Sequence, residues 1–105
     1  MTDERIMMKN PNTGRDDLRI KVSVYEPVRD AILAALAEGA LPNAQLYDEV
    51  EQRTPAELWA DASLMWFTTT VKLHLEATGM LTKKGSPQVL SITEQGQAQL
   101  GREDQ

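Results

Sequence analysis

Cysteine is absent from this 105-residue chain, which excludes disulfides, thiolate metal sites and cysteine nucleophiles and fits an intracellular home. Histidine occurs once, at His74 beside Glu76, a spacing that puts no second nitrogen ligand on the same helical face, so it reads as a partly exposed helical histidine. Long apolar runs are missing as well. The longest, Ala31 to Ala37, is far short of the ~20 residues that cross a bilayer, and the N-terminus MTDERIMMKN lacks the apolar core of a secretory signal. The expectation is a soluble, cytoplasmic protein without a membrane partner.

Positive charge is scarce: 11 basic against 16 acidic residues give a net charge of −5, which argues against broad affinity for polyanions. The deficit is local. Residues 1–25 carry five basic and four acidic side chains, residues 26–62 two and eight, residues 63–80 one of each, and residues 81–105 three of each. The acidic side chains Asp48, Glu49, Glu51, Glu57 and Asp61 form a charge run along solvated helices rather than a catalytic cluster. No glycine-rich loop follows a strand to cradle phosphate, since NPNTG holds one glycine and precedes its strand. The chain therefore reads as non-enzymatic, with no cofactor.

What is present is ordinary globular composition, 41% hydrophobic and 26% charged, enough for one modest core. KNPNTGRDDLR is built of turn formers and marks residues 1–19 as an irregular arm. RIKVSVY alternates, with Ile20, Val22 and Val24 on one side, and predicts a strand that pairs with something later in the chain or with a second copy. EPVRDAILAALAE predicts a helix from Glu26 to Glu38, with Pro27 in its first turn and Gly39 as its stop. A second helix is expected from Asn43, as cap, to Arg53. TPAE reads as a capping box on Thr54 that opens a short helix, and Asp61 to Ser63 offer a restart.

The long third helix is expected from Leu64 to Thr78. Leu64, Phe67, Val71 and Leu75 form one buried stripe and Trp66, Thr70, Leu73 and Ala77 a second, which leaves Met65, Thr69, Lys72 and Glu76 outward and Gly79 as the left-handed stop. MLTKKGSPQVLSI predicts a hairpin around Lys84-Gly85-Ser86-Pro87 in which Leu81 opposes Leu90 or Ile92. TEQGQAQL allows a last helical turn or two capped by Thr93, with Leu100 returning to the core, and GREDQ (101–105) reads as a frayed tail.

This order of elements resembles a winged helix-turn-helix: α+β, mostly α, with a three-helix core, a β-hairpin wing, a short N-terminal strand and a short C-terminal helix, occupying residues 20–100. LPNAQLYDEV looks like the second helix of that fold, and VKLHLEATGMLTKKGSPQVLSITEQG like its third helix, wing and closing helix. More narrowly, NPNTGR with YEPVRDAIL, a Trp in the third helix and VKLHLEATG are similar to a family of small uncharacterised bacterial winged-helix proteins, a domain of unknown function. The resemblance implies a fold and carries no activity with it.

Two functional readings follow. In the first, a homodimer binds double-stranded DNA in transcription-related regulation. Ser63, Thr68, Thr69 and Lys72 of the third helix face the major groove, Lys83 and Lys84 of the wing lie along the backbone, and Arg15, Arg19 and Lys21 of the arm assist. Three cations per chain on the helix and wing give a salt slope of roughly 3 for a monomer and roughly 5 for a dimer. In the second, the winged helix serves protein–protein interaction or dimerisation without DNA. Trp59, Met65, Trp66 and Phe67 are then interface anchors, in place of the Arg, Asn or Gln that read base edges. The fold's usual employment favours the first and the charge balance the second.

Overall fold

A computed structural model describes residues 4–8, 18–60, 62–85 and 88–103 of the chain. The fold is α+β and mostly helical, with helices α1 (Val22–Ala37), α2 (Asn43–Arg53), α3 (Leu64–Ala77) and α4 (Glu94–Glu103) and a 3-10 turn at Ala56–Trp59. Strands β1 (Arg5–Met8) and β2 (Leu18–Lys21) form one antiparallel ribbon; β3 (Leu41–Pro42), β4 (Leu81–Lys84) and β5 (Val89–Ile92) form a second sheet in the order β3-β5-β4. The arrangement is compatible with a winged helix-turn-helix.

The strand at Ile20 is shorter than its alternation predicts. It ends at Lys21, and Val22 begins α1 after its N–H closes the ribbon on the Glu4 carbonyl at 2.8 Å. Val22 and Val24 fit alternation, but Tyr25, Val28, Ile32 and Leu36 fit a helical stripe that buries all four. The longer stripe wins. Pro27 consequently sits inside α1 rather than in its first turn, at the cost of one hydrogen bond to the Ser23 carbonyl.

The partner of β2 is an earlier strand, in a part of the arm expected to be irregular: Ile6 pairs with Ile20 and Met7 with Arg19. RIMM holds no turn former. Met8 and Ile20 close over the core, each 3% exposed.

α1 is the central element and packs against α2, α3 and α4. Val28, Ile32, Leu33, Leu46, Val50, Val71 and Leu75 are fully buried around it. At the end of α3, the Met80 N–H donates to the Leu75 carbonyl (2.8 Å) and the Gly79 N–H to that of Glu76 (3.2 Å), the paired bonds of a Schellman cap, with Gly79 at φ 83°. That cap turns the chain directly into β4. The hairpin has Leu81 opposite Ile92, as one of the two expected registers requires. β3, which the sequence does not announce, completes this sheet by pairing Leu41 with Leu90.

Two expected caps are different in kind. Asn43 is the first residue of α2 and its side chain makes no cap bond. Thr54 is not a cap either: its hydroxyl donates to the Val50 carbonyl (2.7 Å) and accepts from Trp59 Nε1 (2.9 Å), tying the 3-10 turn to the end of α2. Thr93 does cap, with its Oγ1 accepting from the Gly96 N–H at 3.2 Å, and α4 runs on through Gly101 to Glu103, past the expected start of the tail.

Candidate interaction surface

α3 starts at Ser63, whose hydroxyl accepts the Trp66 N–H at 3.2 Å. Beyond it the helix is rolled relative to the expected pattern. Thr68 is fully buried, Lys72 is 9% exposed and His74 is 7% exposed with its ring edge-on to Tyr25 at 5.7 Å, whereas Ala77 and Trp66 from the expected second buried stripe are open to solvent. The cause is α2, which crosses the face assigned to the outside. Tyr47 OH and Thr69 Oγ1 share a 2.8 Å hydrogen bond, and Lys72 Nζ donates to Asn43 Oδ1 at 2.7 Å.

Thr68 and Lys72 thus do not stand on an outer face, and His74 is not partly exposed. The Lys72 stem lies along the interior and its ammonium ends on one side-chain acceptor. Asn43→Ala is expected to cost about 1–3 kcal/mol, because an almost buried cation loses that acceptor, whereas Lys72→Met, which removes charge and requirement together, is expected to be nearly neutral. Urea unfolding of the two variants measures the difference.

Of the wing cations, Lys83 pairs with Glu76 at 3.2 Å, and Lys84 is exposed. Arg19 and Lys21 are exposed on β2; Arg15 lies outside the described residues. The four aromatic and methionine candidates split into two pairs. Trp59 and Phe67 are half-buried against the core, 6.3 Å apart, with Trp59 anchored on Thr54. Met65 and Trp66 point outward, 66% and 46% exposed, and Trp66 meets Phe67 edge-on at 4.9 Å.

Trp66 lines two grooves. One of about 340 Å³ is lined by Ser63, Met65, Trp66, Thr69 and Thr70. The other, of about 380 Å³, lies between the β1–β2 ribbon and the start of α3; Arg5, Arg19 and Lys21 line one side, Trp66, Phe67 and Leu58 the other. Arg5 was not a candidate from sequence, because RIMM is too short for its alternation to show beside the turn formers that follow it. A third, wider depression of about 740 Å³ runs along α1 past Glu26, Pro27 and Asp30 to Arg53.

Burial raises the pKa of the Tyr25 phenol above its ordinary value, with the nearby Arg29 guanidinium acting in the opposite sense. Among the described residues no group of three His, Asp or Glu side chains is placed to hold a metal ion, and no helix is long and apolar enough to cross a membrane.

Residues 5–90 match the model of a family of unknown function, DUF6958, and the chain belongs to that family. Comparison with curated proteins and with solved structures gives no match.

Proposed function

We propose, for this member of DUF6958, a non-enzymatic protein-interaction module on a winged-helix scaffold, which forms a homodimer through the first turn of α3. The observation that carries this reading is the adjacent exposure of Met65 and Trp66; among the described residues only Met7 and Val89 are otherwise exposed large apolar side chains. A contiguous exposed apolar pair beside a groove is the usual mark of a contact surface, and a two-fold axis through it would bring the same patch from each copy together. The charge balance supports the same reading. Lys72 is tied to Asn43 and Lys83 to Glu76, so a duplex docked on α3 and the wing would find Lys84 as its remaining unengaged cation among those three.

The test has two arms. Light scattering over a concentration series is expected to give the mass of a dimer, shifted to that of a monomer by Met65→Ser with Trp66→Ser. Fluorescence anisotropy with mixed-sequence duplex DNA at ~50 mM salt is expected to show no binding. A monomer at every concentration, together with duplex affinity that falls steeply with salt, would overturn the proposal in favour of DNA binding.

A further inference from the structure

We propose that the groove between the β1–β2 ribbon and α3 binds an extended acidic peptide segment that carries an apolar side chain beside its carboxylates. The proposal goes beyond the dimer reading and does not rest on it, since it concerns a second groove whose lining shares only Trp66 with the first.

Charge identifies the ligand. On a chain of net charge −5, three cations, Arg5, Arg19 and Lys21, line one small groove whose only carboxylate among the described residues is Glu57. Among the described residues neither Arg5 nor Arg19 forms an ion pair. Guanidinium groups held on neighbouring strands suit carboxylates, which they can take two hydrogen bonds at a time. Arg5 lies opposite Lys21 in the ribbon, and Arg19 is two residues further along β2, so the positive charge runs along the strand rather than gathering at one point.

The floor identifies the rest. Phe67, Leu58 and the Trp66 ring offer an apolar seat in the same groove as the arginines, and a space of about 380 Å³ suits one bulky side chain with its flanking backbone. β2 has β1 as its neighbour on one side and no strand on the other among the described residues. Three consecutive residues, Arg19, Ile20 and Lys21, line the groove, which favours an occupant lying along the strand, its side chains alternately reaching the cations and the aromatic floor. A nucleic-acid backbone fits less well, because the basic track is as short as the groove and the α2 surface carries Asp48 and Glu51 exposed.

The experiment is selection of a phage-displayed random peptide library on the full chain, followed by anisotropy of the winning peptides. Enrichment of Asp and Glu within two or three positions of an aliphatic or aromatic residue is expected. Arg5→Ser with Arg19→Ser, both at exposed positions, should weaken those peptides about tenfold or more, as should replacing the peptide carboxylates by amides, while Lys84→Ser, an exposed cation outside the groove, leaves the affinity unchanged. Circular dichroism confirms that the variants fold, and their mass by light scattering stays that of the parent. The proposal is overturned by winners without acidic enrichment, by no winners at all, or by affinities indifferent to the arginines. It is overturned equally if an oligonucleotide binds through Arg19 where no peptide does, or if the arginine changes dissociate a dimer, which would make a second copy the occupant.

Discussion

Gly96→Ala unfolds this protein at a temperature about 10 °C lower than the parent, a loss of roughly 2–3 kcal/mol. Elsewhere in a helix the same exchange is favourable by about 1 kcal/mol, because alanine gives up less conformational freedom than glycine. Here the sign reverses. A Cβ on Gly96 would overlap the Met80 carbonyl oxygen and stand 2.7 Å from Ile92 Cγ1 and 3.2 Å from Leu33 Cδ2. The first is backbone and the last belongs to the centre of the core, so relief requires α4 to lift away from α1 and β5. Gly101, on the same helix, has nothing within 4 Å of the corresponding position. Gly101→Ala should therefore stabilise by up to roughly 0.5 kcal/mol, and thermal unfolding of the two variants side by side gives opposite shifts.

Leu75→Ala is the second large effect, about 3 kcal/mol within the 2–5 kcal/mol span of such truncations. Leu75 is completely buried, and its carbonyl also receives the Met80 N–H in the cap that turns α3 into β4, so its surroundings are pinned and close poorly over the void. Against a typical total of 5–15 kcal/mol, that is a large fraction of the protein's stability. Met65→Ala on the same helix should change the stability of the monomer by no more than ~0.5 kcal/mol. Denaturant unfolding with a common slope for the two variants tests both numbers. Equal losses would mean that the exposed and buried faces of α3 have been exchanged.

The parts of the fold that sequence made legible are those where local chemistry and core packing agree. α2 begins and ends where its pattern puts it, Gly79 takes the left-handed conformation that ends α3, and the hairpin around Lys84-Gly85 adopts one of the two registers that alternation allows, with Leu81 opposite Ile92. Where two periods compete over a few residues, the sequence misleads. Ile20-Val22-Val24 alternates, yet Tyr25, Val28 and Ile32 enlist Val22 and Val24 into a helix because that arrangement buries more.

The candidate site was harder to foresee for a related reason. A helical pattern gives the buried stripe but not which neighbour covers the flanks. Thr69 and Lys72 look outward until Tyr47 and Asn43 of α2, 22 and 29 residues earlier, are laid across them. The basic–aromatic groove is similarly non-local, joining Arg5 to Trp66 through a ribbon whose first strand, β1, no short-range signal announces. Met65 and Trp66 could be singled out in advance because residues of their kind are unusual where a DNA reader carries amides and guanidinium groups. Their neighbours Trp59 and Phe67 share the same composition and are half-buried, a distinction that only packing makes.

The second sheet bears on how this molecule can and cannot assemble. Its two outer strands are β3 and β4. β3 is two residues long and ends in Pro42, which has no N–H to offer a further strand, while β4 ends in Lys83 and Lys84, so that stacking like strands would set ammonium groups side by side. Neither flank can seed a growing ribbon of molecules. Growth strand upon strand through this sheet is disfavoured at both of its edges.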